Sequence, residues 1–221
     1  MDELAEYYAR RTAEYDEIYL KPERQADITR LAALIREELS GRRVLEVACG
    51  TGYWTQHIAR VAASILACDI NDEVLAIARS RPYAEKRPEF AIFNAFELER
   101  LPAEFDAAFA GFWVSHVKRA ELPVFLAGLR DRLKAPARVV LSDNVYVPGS
   151  STPIAFTDDC GNTYQDRTLK DGSRHRVLKN FLTEQDLLAA AGPDVSHPRY
   201  VALEYYWFFA YTVQPASCRQ N

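Results

Sequence analysis

Glu46, Gly50, Gly52, Asp69 and His116 are the residues of this chain whose types and spacing point to chemistry. Arg43-Val44-Leu45-Glu46-Val47 reads as a short buried strand, and Ala48-Cys49-Gly50-Thr51-Gly52-Tyr53-Trp54 as a turn that hands over to a helix. Val44, Leu45 and Val47 make the apolar run of a parallel strand covered on both faces. The glycines let the backbone turn sharply and approach a ligand that a Cβ would push away. Such a junction suits a nucleotide-like ligand, and the carboxylate of Glu46 favours one bearing hydroxyls or a positive charge over one bearing phosphate. Asp69 lies near the end of a second apolar run, Ser64 to Ile70. There an ionised carboxylate offers two oxygens to a pair of hydroxyls, or caps the helix that follows. His116 follows Gly111-Phe112-Trp113-Val114-Ser115 and is the best general-base candidate, since an imidazole titrates near pH 6.5; the alternative is a packing residue. His57, His175 and His197 show no metal-ligand spacing, and no metal is expected.

The elements that must position these groups follow from periodicity. Asp2 to Tyr19 and Pro22 to Ser40 carry apolar residues at helical spacing, so a helical cap over residues 1–40 precedes the first strand. A helix runs from the glycine turn to about Ala62, and Asn71 caps another over Asp72 to Arg81. Glu89 to Ala95 and Phe105 to Trp113 read as strands, Arg119 to Lys134 as a helix and Arg138 to Asp143 as a fifth strand. Strands alternating with helices of this length mean a parallel sheet with crossover helices on both faces. Residues 145–180 break the pattern with Pro148, Gly149, Gly161 and Gly172, and Asp171-Gly172 marks a β-hairpin between Tyr164-Leu169 and Arg174-Leu178. This insertion is expected to cover a pocket as a lid. Thr183-Glu184-Gln185-Asp186 resembles a capping box that opens a helix to about Ala191. Arg199 to Val213, dense in aromatic and β-branched residues, is expected to make two antiparallel strands.

Composition narrows the field. A chain of 221 residues with 48% hydrophobic content supports one sizeable core, so a single domain over 1–221 is expected. A formal net charge of −4 with dispersed basic residues argues against nucleic acid. No run approaches the roughly 18 apolar residues of a membrane span, and the acidic start Met1-Asp2-Glu3 is unlike a secretion signal, so a soluble, cytoplasmic protein is expected. Cys49, Cys68, Cys160 and Cys218 lack paired spacing and read as reduced thiols.

Glu46-Val47-Ala48-Cys49-Gly50-Thr51-Gly52, with Asp69 after it, resembles the class I S-adenosylmethionine-dependent methyltransferases, over roughly Gly41 to Val213. In the family pattern acid-x-Gly-x-Gly-x-Gly, Gly50 and Gly52 match the last two glycines and Ala48 replaces the first. The resemblance implies a Rossmann-like α/β fold: a seven-stranded, mostly parallel sheet with an antiparallel C-terminal strand and helices on both faces. It implies S-adenosyl-L-methionine as cofactor and S-adenosyl-L-homocysteine as product. Gly50, Gly52 and Ala48 would lie along its methionine part, with Glu46 near the amino group or ordering the turn, and Asp69 on the ribose. Ile70 and Phe96 would sandwich the adenine, with Asn94 and Ala95 at its edge or in a turn, and Phe112 would also touch the cofactor. A small-molecule methyl acceptor, flat or aromatic by preference, would meet Trp113, His116, Asn144, Tyr146, Arg24 and the phenols Tyr7, Tyr8 and Tyr15. N- and O-methylation both remain open, as do monomer and homodimer. Two rivals are a related subunit that binds the cofactor without turnover and a nicotinamide oxidoreductase, the latter opposed by Thr55 where a third glycine would stand.

Overall fold

The computed structural model of the protein describes residues 12–83, 87–102, 104–193 and 195–214. In chain order the strands are β1 (Arg43–Val47), β2 (Ser64–Asp69), β3 (Glu89–Ile92), β4 (Phe105–Gly111), β5 (Leu133–Asn144), β6 (Phe156–Thr157), β7 (Thr163–Thr168), β8 (Arg174–Leu178), β9 (Val195–Ala202) and β10 (Tyr206–Val213). The α-helices are α1 (Gln25–Leu39), α2 (Tyr53–Ala59), α3 (Asp72–Ser80), α4 (Leu122–Arg130) and α5 (Glu184–Ala191).

Seven strands form the main sheet in the order β3-β2-β1-β4-β5-β10-β9. The first five pair in parallel, and β10 runs antiparallel to both β5 and β9. Alternation along each strand divides the core. Leu45, Val47, Ala108, Leu141, Trp207 and Phe209 meet Phe125 and Leu129 of α4 and Leu187 of α5 on one face. Val44, Ala67, Phe109, Val140 and Phe208 meet Leu31, Leu34 and Ile35 of α1 and Ile58 of α2 on the other. Helices therefore cover both faces, as the sequence pattern requires. The strand order turns back between β1 and β4, and in an open parallel sheet the crevice beyond the carboxyl ends of those strands receives ligands.

Several boundaries differ from the sequence expectation. The part of the first expected helix that is described, Thr12–Tyr19, is a 3-10 helix, and Tyr7 and Tyr8 lie outside the described residues. The helix expected over 119–134 is shorter: it opens at Leu122, with Pro123 in its first turn, and ends at Arg130. Leu133 instead starts β5 and pairs with Phe105, because Pro136 lacks a helical N–H donor and holds its neighbour extended; the β4–β5 register shifts beyond this first pair. β3 stops at Ile92 and β4 at Gly111, leaving Asn94 to Phe96 and Phe112 to Trp113 in the loops that line the crevice.

The 145–180 insertion folds as a separate antiparallel sheet, β6-β7-β8. Gly172 adopts φ +86° in the expected hairpin turn, and Asp166 lies opposite Arg176 in an ion pair at 2.8 Å. The two-residue β6 carried no sequence signal. The capping box at Thr183 is present, with the side chain accepting from the Asp186 N–H and the Asp186 carboxylate accepting from the Thr183 N–H.

Candidate functional site

The glycine turn is held by the carboxylate one strand over. Asp69, at the end of β2, accepts the Gly50 N–H at 2.9 Å on one oxygen and the Asn71 N–H at 3.0 Å on the other. Each oxygen keeps a second lone pair for a ligand. Burial raises the Asp69 pKa, and the backbone donors counter it. Ala48, Gly50 and Gly52 all have positive φ, at +53°, +55° and +77°. Ala48 thus holds a left-handed conformation that costs an L-residue about 1 kcal/mol, so the backbone path of the missing glycine is kept.

Gly52 is needed for packing. A Cβ there would stand 2.8 Å from the Tyr83 hydroxyl and 3.0 Å from the Ala78 Cβ, so α3 could not lie where it does. Glu46, on β1 below the turn, is 1% exposed, and its Oε2 has no hydrogen-bond partner. Burial pushes its pKa up to about 8, the nearby Asp69 charge adds to this, and the Thr55 hydroxyl opposes it.

The turn is also clasped from the N-terminal segment, a contact that sequence reasoning missed. Arg81, just after α3, pairs with Asp16 and donates from Nε to the Thr51 carbonyl, while the Thr51 hydroxyl donates to Asp16 at 2.6 Å. No motif marks Arg81 because its partners are 30 and 65 residues away.

Ile70 and Phe96, expected to enclose a flat ring, are both 47% exposed. Asn94 is occupied locally: its Oδ1 accepts the Phe96 N–H at 3.0 Å and its Nδ2 reaches Glu97 at 3.3 Å. This is the turn alternative for Asn94. Ala95 is buried beside it. Trp113 packs with Phe96 at 6.0 Å and Phe125 at 6.5 Å between ring centroids, and its indole N–H is buried without a partner. It therefore stands with the Ile70–Phe96 side of the crevice, contrary to its expected place on the acceptor side.

A cavity of about 550 Å³ opens on the other side. Its walls come from the segment Glu17–Arg24, the end of β5, the loop at Ser150–Thr152 and the inserted sheet. Of the residues expected around the acceptor, Arg24, His116 and Asn144 line it, and Phe112, expected beside the cofactor, lines it too. Tyr146 does not; it is 40% exposed and packs edge-on against Phe181, which does. Tyr15 lies in the 3-10 helix, but its side chain is outside the described part. Phe112 holds φ +59° and is fixed by Tyr19, Trp54 and Tyr206, with ring centroids 5.4–5.8 Å away.

His116 is 6% exposed and its Nδ1 lies 2.6 Å from the Leu178 carbonyl oxygen. A carbonyl only accepts, so Nδ1 carries a proton, and Nε2 is the nitrogen that could act as a base. Beside it, Lys179 is buried and donates to Ser115 Oγ at 2.7 Å, Asp143 Oδ1 at 2.7 Å and Asn144 Oδ1 at 3.0 Å. Asp143 also accepts the Ser115 N–H at 3.1 Å. The last strand of the insertion is thereby bolted to the ends of β4 and β5, next to His116. Lys179 and Asp143 escaped sequence reasoning, since neither stands in a motif. Among the described residues no cluster of His, Cys, Asp and Glu could hold a metal, and no helix is long and apolar enough to cross a membrane.

Comparison with known proteins adds three relatives. The methyltransferase domain family matches residues 44–135, from β1 into the start of β5. The mitochondrial ubiquinone biosynthesis O-methyltransferase of Schizosaccharomyces pombe is 30% identical over 111 residues, covering 48% of this chain and 39% of that protein. The ubiquinone biosynthesis O-methyltransferase of Xanthomonas euvesicatoria pv. vesicatoria is 27% identical over 157 residues, 70% of this chain and 62% of that protein. The chain thus spans less than two thirds of these curated relatives. Among solved structures, DhpI aligns over nearly the whole chain. Its SAH complex covers 97% of both chains at TM-score 0.77 and 24% identity, and its SAM-HEP complex covers 95% of this chain and 96% of that one at TM-score 0.74 and 25% identity.

Proposed function

We propose that the chain is a class I S-adenosylmethionine-dependent methyltransferase, which transfers a methyl group from S-adenosyl-L-methionine to an oxygen or nitrogen of a small metabolite. The observation that carries this reading is the partition of the crevice. Glu46, Asp69 and Ile70 at the ends of β1 and β2, with Phe96 in the loop after β3, stand on one side of the point where the strand order reverses. A walled cavity stands on the other, with Phe112, His116 and Asn144 at the end of the sheet next to the lid.

The residues present fit the cofactor. A left-handed backbone at Ala48 and Gly50 leaves room for its methionine part, and the partnerless Oε2 of Glu46 is an acceptor for its ammonium group. Asp69 has lone pairs for two ribose hydroxyls, and the exposed Ile70 and Phe96 offer apolar faces to a base, with Ala95 beside them. The indole N–H of Trp113 is the further donor on that side. The sulfonium supplies a methyl group whose transfer needs no proton on the leaving group, so the protein's main task is to hold the acceptor in line. Nε2 of His116 takes the proton of a hydroxyl acceptor; an amine already neutral needs no base. The cavity walls are mostly polar, which supports a polar acceptor over a purely apolar flat one.

The test is calorimetric titration with S-adenosyl-L-methionine, S-adenosyl-L-homocysteine and NADH, followed by turnover assays. Binding of the sulfur nucleotides alone supports the reading, and NADH binding points to an oxidoreductase. Binding without transfer to any of a broad panel of hydroxyls and amines points to a subunit that holds the cofactor without turnover.

A further inference from the structure

The charged groups of the cavity are not balanced. Two carboxylates, Glu17 and Asp166, line it, and each already has a cation: Glu17 accepts from Lys170 at 2.5 Å, and Asp166 accepts from Arg176 at 2.8 and 3.0 Å. Two cations at the head of α1, Lys21 and Arg24, also line it, and neither has a carboxylate partner among the described residues. Arg24 is 8% exposed. Its Nη2 donates to Ser150 Oγ at 3.1 Å, its Nε is buried with no partner, and its guanidinium lies 5.2 Å and 5.8 Å from the ring centroids of Tyr205 and Tyr206. Aromatic faces attract a guanidinium but do not replace the water and counter-charge that burial removes.

We propose that the cavity takes an acceptor bearing an oxyanion, a carboxylate or a phosphoryl group, which Arg24 grips and Lys21 supports. The proposal rests on the methyltransferase reading only in calling the bound molecule the acceptor. A guanidinium presents parallel N–H donors that match the paired oxygens of such a group, and Arg24 has one donor fixed on Ser150 and another unused. Ser150 and Thr152 add a hydroxyl each to the same wall. A neutral acceptor would leave the buried guanidinium without a counter-charge.

The experiment uses the full chain saturated with S-adenosyl-L-homocysteine, titrated with ethylphosphonate, propionate and the neutral propionamide. At least one anion is expected to bind about tenfold or more tightly than propionamide, and to weaken as salt is raised. The tighter of the two anions identifies the phosphoryl or the carboxylate source. R24Q is expected to weaken that anion by about tenfold or more while leaving S-adenosyl-L-homocysteine affinity within about twofold. K21Q, on a partly exposed side chain with little bearing on folding, is expected to weaken it severalfold. Propionamide binding as tightly as both anions, an anion affinity indifferent to R24Q and K21Q, or no anion binding up to about 50 mM overturns the proposal. Failure of the methyltransferase reading shows separately, as absence of S-adenosyl-L-homocysteine binding. The same three probes then go into the unloaded protein with the same criteria.

Discussion

Replacing Glu46 by glutamine should make the protein more stable at neutral and alkaline pH, by an amount that grows with pH. In the fold this carboxyl is 1% exposed, one of its oxygens has no partner, and its pKa stands at about 8 against an ordinary 4.5. Because the folded state binds the proton more tightly than the unfolded chain does, the associated stability is complete below about pH 4.5 and is lost as pH rises through 8. Each pKa unit is about 1.4 kcal/mol, so the wild type loses about 2–3 kcal/mol from this group between pH 5 and 7 and about 4 kcal/mol by pH 9. Glutamine has nearly the same shape and no charge to bury, so the variant lacks that loss. His57 works the other way: burial and the neighbouring Arg36 and Arg60 lower it to about 4, so stability from this group rises as pH climbs from about 4 to 6.5. Subtracting the wild-type profile from that of E46Q removes it. Urea unfolding at pH 5, 7 and 9 measures the difference, and thermal scans should show a gain of about 4–10 °C at pH 7 relative to the offset at pH 5. Parallel profiles across this range would refute the reasoning, since they would mean that Glu46 is ionised in the fold without cost.

Four other outcomes follow from the same geometry. Gly52→Ala should lower stability by about 2–3 kcal/mol in urea unfolding, because its Cβ meets Tyr83 and Ala78 and its backbone is left-handed. Asp69→Ala should weaken S-adenosyl-L-homocysteine binding tenfold or more by calorimetry, since it frees the Gly50 N–H as well as removing the acceptor; near-wild-type affinity sinks the ribose assignment. Lys179→Met should cost about 3–5 kcal/mol, because Asp143, 1% exposed, is left charged without its partner; a smaller loss in chemical denaturation would mean that water reaches the pair. His116→Gln should lower kcat with little change in cofactor affinity if the acceptor is a hydroxyl, and unchanged turnover would return His116 to packing.

Local chemistry made much of this protein legible before any coordinates. The glycine turn, the alternation of strands and helices, the hairpin at Asp171-Gly172 and the capping box at Thr183 all depend on backbone freedom, side-chain period or a hydrogen bond within a few residues. The placing of Glu46, Asp69 and Ile70 near the ends of β1 and β2, and of Phe96 in the loop after β3, was legible for the same reason, because the parallel order brings those ends to one crevice. Where local signals conflicted, tertiary contacts prevailed: Leu133 joined the sheet beside Phe105, and Trp113 turned toward Phe96. Only the folded chain could show that Arg81 clasps Asp16 to the glycine turn, that Lys179 bolts the insertion to Asp143, or that Arg24 lies buried in the cavity wall without a carboxylate partner among the described residues. Ion pairing and burial depend on distances between residues tens of positions apart, and no sequence period carries them. Sequence alone therefore determined the sheet and the strand ends that border its crevice, whereas the charge balance of the cavity beside it was decided by packing.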